Sequence, residues 1–205
     1  MARYTGPKNR IARRFGTNIF GRLRNPLLHK PNPPGMHGAK RKKKSDYGIQ
    51  LDEQQKLKAV YGMLSHKKLL SYYKEAMKKE GNTAHILMQL LESRLDNIVY
   101  KMGLASTIFH SHQLIAHGHV LVNGKKVDIR SYRVRQGDEI SLREKAVNNP
   151  IVKLALGQAR DIPEYLSAER EKGKGTVSSL PQFDQISLPL PINVALVCEF
   201  LAHQH

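Results

Sequence analysis

Apolar residues between positions 51 and 91 recur at intervals of three and four, the spacing that places side chains on one face of an α-helix. The pattern predicts three amphipathic helices, over residues 51–64, 66–80 and 84–91. Gly81 follows the second helix as a C-terminal cap residue. Apolar side chains at this spacing belong to a core far more often than to a binding site, so we predict a small helical bundle here.

Residues 94–144 change from helical to strand-like periodicity. Apolar residues spaced i, i+3, i+4 and i+7 from Leu95 predict a helix that ends at Gly103. Ser106 can cap a second helix that reaches about His117. This part of the region is therefore predicted to hold two consecutive helices.

Three short strand-like runs come next, over residues 120–122, 125–127 and 139–142. Asn123-Gly124 separates the first two runs, and Asn-Gly is a strong hairpin signal because both central turn positions need a positive φ. The region is therefore predicted to be two helices followed by a small antiparallel sheet.

The C-terminal stretch has a weaker pattern. Residues 148–170 have helical texture, residues 173–191 are expected to be loop or extended chain, and residues 192–201 are predicted to be helical. The overall prediction is an α+β protein in three parts: an extended basic N-terminal arm (1–45), a small helical domain (46–93 and 145–205) and an inserted two-helix-plus-sheet domain (94–144).

Charge is distributed as unevenly as the apolar residues. The net charge is +17, and residues 1–45 contain thirteen Lys and Arg but no Asp or Glu. Such a segment favours a polyphosphate partner, because each neutralised phosphate releases condensed cations. The alternatives are a disordered solubilising tail and an anchor for anionic membranes, and we prefer nucleic acid. The arm is also poor in apolar residues, so it is expected to gain structure only against a partner.

The rest of the composition narrows the class of protein. Cys198 is the only cysteine, which excludes an internal disulfide and fits a reducing compartment. The chain begins with charge and glycine and not with a signal peptide. No segment approaches the roughly 18 apolar residues of a membrane span. We therefore expect a soluble intracellular protein with no membrane partner.

Several blocks of sequence stand at characteristic spacings. They are Ser93-Arg94-Leu95-Asp96, Gly103, Gln113-Leu114-Ile115, Gly118-His119-Val120-Leu121-Val122-Asn123-Gly124 and Gly137-Asp138-Glu139-Ile140. Together they resemble the S4-type RNA-binding domain. Further blocks are MARYTGPK at residues 1–8, PGMHGA at 34–39, SDYG at 45–48 and YYKEA at 72–76. With these, the chain resembles the S4 family of small-subunit ribosomal proteins over nearly its whole length, and only the region after about residue 160 matches weakly.

The resemblance implies a structural constituent of the small ribosomal subunit and not an enzyme. Family members are primary rRNA-binding proteins that nucleate assembly at a multi-helix junction of 16S-type rRNA. They also line the channel through which mRNA enters and contribute to decoding accuracy and mRNA unwinding. The resemblance further implies S3 and S5 as neighbouring ribosomal proteins, no cofactor, and a cytoplasmic ribosome, with the organellar stroma or matrix left open. A free RNA-binding translational regulator and an S4-domain RNA-modifying enzyme are the alternatives.

Residue chemistry indicates where RNA would bind. Arg133 and Arg135 flank Val134, so strand alternation places both guanidinium groups on one face, and Lys125 and Lys126 lie at the hairpin tip. The full set of predicted rRNA contacts is Arg3, Lys8, Arg10, Arg13, Arg14, Arg22, Arg24, Lys30, His37, Lys42, Lys44, Tyr47, Lys125, Lys126, Arg130, Arg133 and Arg135.

Matching to the family assigns Lys40, Arg41 and Lys43 to incoming mRNA. The alternative, that this basic run contacts only rRNA, stays open.

The chain departs from the family pattern in its second module helix and in its arm. Ile108 and His112 stand where the family usually has Arg, so both are left out of the binding set. Some relatives hold zinc with cysteines of the arm, but this arm has none, and His29 with His37 are too few ligands for a tetrahedral site. Zinc is therefore not predicted.

A cluster of histidines invites a second metal hypothesis: His110, His112, His117 and His119. Helix residues two apart point in different directions, and the last two histidines straddle Gly118. We therefore predict imidazoles that partly face RNA instead of a metal site.

Arg94-Leu95-Asp96 is similar to a triplet of RNA pseudouridine synthases in which the aspartate is catalytic. In those enzymes a large catalytic domain follows the binding module, whereas here only residues 145–205 remain after it. Arg94 and Asp96 are predicted to form an internal polar contact or a helix-surface pair. Glu92 and Asp96, four apart, are predicted to lie on an exposed helix face.

Overall fold

The structure is a computed structural model that describes residues 4–21, 24–40, 43–158 and 160–204. The chain forms two compact units. We call Met1–Ile86 with Leu188–His205 the helical unit, and Leu87–Ser187 the sheet unit.

Ten α-helices occur in the described residues, in chain order: α1 (Lys8–Phe15), α2 (Pro26–His29), α3 (Asp46–Val60), α4 (His66–Met77), α5 (Thr83–Glu92), α6 (Leu95–Lys101), α7 (Ile108–Ala116), α8 (Glu144–Val147), α9 (Pro150–Leu156) and α10 (Val194–Ala202). The five strands are β1 (Val120–Val122), β2 (Lys125–Lys126), β3 (Glu139–Leu142), β4 (Leu166–Glu169) and β5 (Lys174–Val177). Short 3-10 turns lie at Arg170–Lys172 and Phe183–Gln185. None of the helices in the described ranges is long and apolar enough to cross a membrane. The α+β class with an inserted helix-and-sheet module is confirmed.

Side-chain caps explain where several helices begin. Ser45 accepts a hydrogen bond from Gly48 N ahead of α3, and Ser65 accepts one from Lys68 N ahead of α4. The second module helix, α7, is capped by Thr107, which accepts from His110 N at 3.1 Å, and not by Ser106. The cap predicted from sequence was therefore one residue too early.

The N-terminal arm has structure of its own, which the expectation of an arm ordered only by a partner did not include. The helix α1 buries Ala12, and Ile19 and Phe20 are also buried. Arg13 donates to Lys30 O, Asn32 O and Pro33 O, at 3.1, 2.9 and 3.3 Å. In the described part of the arm, a few buried apolar residues and one guanidinium that binds backbone carbonyls hold the chain together.

The core of the helical unit lies where α10 packs on α3 and α4. Leu57, Leu69, Val197 and Leu201 are fully buried there. The N-terminus of α10 is held by Glu53, whose carboxylate accepts from Asn193 N at 2.8 Å. The C-terminal helix predicted over residues 192–201 is confirmed, with its start and end at Val194 and Ala202.

The sheet unit contains the predicted two helices and hairpin within a larger antiparallel sheet. Its strand order is β2-β1-β3-β5-β4, and Leu121 pairs with Lys126 on one side and Ser141 on the other. Asn123 and Gly124 have φ values of 49° and 76°, which confirms the predicted turn. One side of this sheet and the helices α6 and α7 share a single apolar core.

Two strands form where helical texture (residues 148–170) and loop or extended chain (residues 173–191) were expected. Leu166–Glu169 forms β4 and Lys174–Val177 forms β5, which pairs with β3 through Ile140 and Gly175. Because β5 joins the sheet of the inserted module, residues 145–187 pack with that module. The expected helical domain of 46–93 and 145–205 therefore differs from the compact units of the structure.

Candidate nucleic-acid interface

The predicted basic segment 130–135 is fixed to the start of α6 by backbone hydrogen bonds. Leu95 N donates to Tyr132 O at 2.9 Å, and Val134 N donates to Ser93 O at 2.9 Å. Val134 is buried, whereas Arg133 and Arg135 are exposed. The predicted alternation, with the valine in the core and both guanidinium-bearing residues at the surface, is confirmed.

The hairpin tip carries the next two cations on an equally fixed backbone. Lys125 and Lys126 are both exposed. Asn123 Nδ2 donates to Asp138 Oδ1 at 2.8 Å, and Asp138 Oδ2 accepts from Arg135 N at 2.8 Å. Asp138 therefore ties the hairpin tip to the basic segment through its two carboxylate oxygens. We call Lys125, Lys126, Arg133 and Arg135 the hairpin cation set.

Arg130 differs from these four because it is only partly exposed. Its Nη1 lies 3.3 Å from His112 Nδ1. His112 is itself buried, and its Nε2 lies 3.2 Å from Asp96 Oδ2. The expectation that the histidines partly face RNA therefore does not hold for His112, which belongs to an internal polar cluster.

Arg94 and Asp96 form the centre of that cluster, and the predicted internal contact is confirmed. Arg94 Nε donates to Asp96 Oδ1 at 3.0 Å, and Arg94 Nη2 donates to Asp96 Oδ2 at 2.5 Å. Their side chains are 4% and 1% exposed. Burial alone would raise the pKa of Asp96, but His112 and Arg94 hold it below its ordinary value. The carboxylate is charged and paired, as in a structural ion pair.

Glu92 is also buried, which corrects the prediction of an exposed carboxylate pair. Its Oε2 accepts from Asn97 Nδ2 at 2.6 Å and from the Tyr165 hydroxyl at 2.9 Å, and lies 2.9 Å from Lys101 Nζ. Burial and the neighbouring Glu92 carboxylate raise the pKa of the Tyr165 hydroxyl. The error arose because α5 ends before Ser93 and α6 begins at Leu95, so Glu92 and Asp96 do not share one helix face.

Several predicted rRNA contacts of the arm have partners inside the protein, including Arg24, whose Nε donates to His29 Nε2 at 3.2 Å. Arg14 Nη2 lies 2.5 Å from Asp52 Oδ1, and Lys44 Nζ pairs with Asp52 Oδ2. Burial would raise the pKa of Asp52, but Lys44 and Arg14 lower it. Arg13 is occupied by backbone carbonyls. Arg14 and Lys44 remain more than half exposed, so their pairing with Asp52 is a surface contact.

The other predicted residues of the arm are mostly at the surface. Tyr47 is 61% exposed, and its ring packs against Phe200 with a centroid distance of 5.4 Å. Lys8 is half-buried. The exposed ones are Arg10, Arg24, Lys30, His37, Lys40 and Lys43. Arg3, Arg22, Arg41 and Lys42 lie outside the described residues.

Metal binding has no support in the described part of the chain. No group of three or more His, Cys, Asp or Glu stands close enough there to hold an ion. His110 Nδ1 contacts the Ser106 hydroxyl at 3.2 Å, and the rings of His117 and His119 lie 6.1 Å apart. The histidine cluster of the sequence is therefore dispersed in the structure.

Some basic residues lay outside the sequence-based set. Arg160 donates to Ala105 O at 3.1 Å and stacks over the Tyr100 ring at 4.7 Å, so it supports the loop between α6 and α7. No local sequence signal marks that contact, because the partners are 55 and 60 residues apart. Exposed lysines on α4 also lie outside that set, because the apolar periodicity of the helix indicates only its buried face.

Comparison with known proteins decides the family. The ribosomal protein S4/S9 N-terminal domain matches residues 3–92, and the S4 domain matches residues 93–140. The small ribosomal subunit protein uS4 of Chlamydia trachomatis serovar D is 59% identical over 208 residues, covering 100% of both chains. The corresponding protein of Protochlamydia amoebophila is 57% identical over 204 residues, covering 99% of each. The chain belongs to the uS4 family of small ribosomal subunit proteins.

Membership of the uS4 family confirms the resemblance drawn from the sequence blocks. Members are ribosomal proteins and not enzymes, so the alternative of an RNA-modifying enzyme is excluded. In this uS4-family protein the buried Arg94–Asp96 pair lies at the start of α6, and Asp96 Oδ2 also lies 3.2 Å from His112 Nε2 of α7.

Proposed function

We propose that this protein binds small-subunit rRNA directly and holds it through phosphate contacts. The observation that carries the proposal is the hairpin cation set, four exposed basic residues on a backbone fixed by Asp138 and by the start of α6. Folded RNA is recognised mainly by shape and by the position of its phosphates, which a rigid cationic surface suits. Exposed arm residues extend the cationic surface of the helical unit.

The same cations suit a role early in assembly. A primary binder nucleates assembly when it fixes several RNA helices of a junction before other proteins arrive. Cationic surfaces on both compact units offer the several contacts that a multi-helix junction of 16S-type rRNA requires. If six to ten phosphates are neutralised, affinity should fall by roughly 10³–10⁵-fold between 50 and 200 mM salt.

A second role follows from Lys40, Arg41 and Lys43, which we propose face mRNA where it enters the ribosome. Lys40 and Lys43 are exposed. Replacing all three with alanine should slow translation through structured mRNA, and lower decoding accuracy, while subunit assembly continues. Unchanged unwinding in this variant would leave the basic run as a contact for rRNA alone.

The remaining partners are proposed from the family. Ribosomal proteins S3 and S5 are the proposed neighbours, and the cytoplasmic ribosome is the proposed location. Crosslinking of assembled subunits tests the neighbours, because a protein contact yields a defined crosslinked pair.

Sucrose-gradient fractionation with detection of this protein tests the main proposal. A ribosomal constituent co-sediments with small subunits at moderate salt. A free translational regulator, the alternative, appears in the unbound fractions and binds a specific mRNA. A mainly unbound pool would overturn the proposal.

A further inference from the structure

Helix α4 presents a line of lysines that the predicted rRNA-binding set does not include. Lys67, Ser71, Lys74 and Lys78 are separated by four, three and four residues, so they lie along one face of the helix and its C-terminal cap. All four are exposed. At 1.5 Å per residue they span about 16 Å. We call these four residues the α4 stripe.

The backbone beneath the α4 stripe is fixed by the opposite side of the helix. Leu69 and Ala76 are fully buried, and Tyr72 and Tyr73 are nearly so. The helix therefore cannot turn its lysines elsewhere without breaking the core of the helical unit. Only side-chain freedom is lost when the lysines bind a ligand.

Two neighbouring lysines, Lys68 and Lys79, have partners among the described residues, whereas the stripe lysines have no ion-pair partner there. Lys68 Nζ lies 4.9 Å from the centre of the Tyr72 ring, and Lys79 Nζ lies 3.9 Å from Glu75 Oε1. Within the described ranges no carboxylate comes within salt-bridge distance of the three stripe lysines. A surface line of cations without counter-charge is a favourable site for a polyanion.

We propose that the α4 stripe binds the phosphodiester backbone of RNA, as a site additional to the arm and the hairpin cation set. The inference rests on the proposed function and deepens it. Lysine presents a compact charge on a flexible stem, which suits a phosphate but does not read a base edge. The Ser71 hydroxyl can donate to a phosphate oxygen between the lysines. The stripe should therefore fix the position of an RNA segment irrespective of its sequence.

The test measures binding of the full chain to in-vitro-transcribed 16S rRNA across salt concentrations. One variant carries Lys67→Ala, Lys74→Ala and Lys78→Ala. Losing three phosphate contacts lowers the slope of log affinity against log salt by about 2–3. The affinity lost between 50 and 200 mM salt then shrinks by about 16- to 64-fold, because the slope acts on a fourfold change in salt.

The matched control carries Lys79→Ala, Lys172→Ala and Lys174→Ala. It removes the same net charge from lysines that already face Glu75, Glu169 and Glu139. Its salt slope should stay near that of the unmodified protein. Equal slopes in the two variants, with salt-dependent binding intact in the unmodified protein, would overturn the inference and leave the proposed function standing. Failure of the unmodified protein to bind rRNA would instead remove the proposed function.

Hydroxyl-radical footprinting of the same rRNA provides a second measurement. The stripe variant should lose protection of one discrete backbone segment that the control variant still protects. Identical footprints would overturn the inference. Circular dichroism and thermal unfolding keep the result interpretable, since substitution of exposed lysines should leave both curves near those of the unmodified protein.

Discussion

The helical unit and the sheet unit each contain an aspartate held by basic residues, in opposite surroundings. In the sheet unit Asp96 and Arg94 have side chains that are 1% and 4% exposed. In the helical unit Asp52 is 12% exposed, but its partners Arg14 and Lys44 are 51% and 60% exposed. The first pair is part of a core, and the second lies at the surface that we propose meets RNA.

The difference shows which cations can serve a ligand. A buried charge that loses its partner is left without solvation, so the Arg94–Asp96 pair must stay intact. An exposed pair contributes little to folding, so the fold does not depend on the pairing of Arg14 and Lys44 with Asp52. The number of basic residues in the sequence is therefore larger than the number available to RNA, because some of them, such as Arg94 and Arg13, bind groups of the protein itself.

The largest expected effect is the loss of the buried pair. Asp96→Ala leaves the Arg94 guanidinium buried without its carboxylate, and should destabilise the protein by about 3–5 kcal/mol. Urea unfolding of the full chain, followed by far-UV circular dichroism, measures the change. A loss below about 1 kcal/mol would mean that this buried pair contributes no more to the free energy of unfolding than a surface pair does, which would contradict the comparison.

Acid should act on the same residue. The pKa of Asp96 is lower in the folded protein than its ordinary value of 3.8, so the unfolded chain binds more protons between the two values. The stability that Asp96 contributes is present above about pH 4 and is lost as pH falls through the folded-state pKa. Urea midpoints between pH 2 and 7 should therefore fall more steeply at the acid end for the unmodified protein than for Asp96→Asn. Parallel curves would contradict this.

A smaller effect is expected at Gly118, which has a φ of +69° and lies under the Lys126 side chain. A Cβ there would lie 2.3 Å from Lys126 Cε. Gly118→Ala should cost about 1–2 kcal/mol through its left-handed backbone, and should also displace Lys126 and weaken rRNA binding. Gly137→Ala is the matched control, because its φ is +83° and nothing lies within 4 Å of its added Cβ. Equal rRNA affinities of the two variants would show that the position of Lys126 is irrelevant.

The smallest effect is expected at Asp52. Asp52→Ala removes a carboxylate whose partners are mostly in solvent, so it should change the free energy of unfolding by about 0–1 kcal/mol. Urea unfolding of Asp52→Ala and Asp96→Ala under the same conditions compares their losses in the free energy of unfolding. A loss as large as that of Asp96→Ala would mean that the arm is an integral part of the core.

Patterns within a few residues of sequence predicted the elements that are formed by contacts between residues close in the sequence. The Asn123-Gly124 turn was predictable because few residues accept positive φ at both positions. The strand β5 was not identified as a strand, because residues 173–191 were expected only to be loop or extended chain. In the structure Gly175 is required, since an added Cβ would lie 2.7 Å from Ser167 O and 2.9 Å from Met102 Sδ. A close approach between distant segments leaves no periodic trace in the sequence.

In the candidate site, too, the sequence predicted the features that depend on adjacent residues and did not predict those that depend on distant ones. Alternation around Val134 correctly placed Arg133 and Arg135 at the surface, because the rule depends only on adjacent residues. The partners of Arg13 are 17 to 20 residues away, and Asp52 is 38 residues from Arg14. Charge counting cannot separate a cation that binds its own fold from one that remains for RNA. Contacts of the folded chain are needed for that distinction.

The salt dependence of rRNA binding by the hairpin cation set tests the central claim most directly. The full chain and a variant with Lys125→Ala, Lys126→Ala, Arg133→Ala and Arg135→Ala are titrated with 16S rRNA between 50 and 200 mM salt. Phosphate neutralisation predicts a steep negative slope for the unmodified protein, and a slope shallower by about 3 for the variant. Binding that is independent of salt, or that is the same for both proteins, would contradict the account.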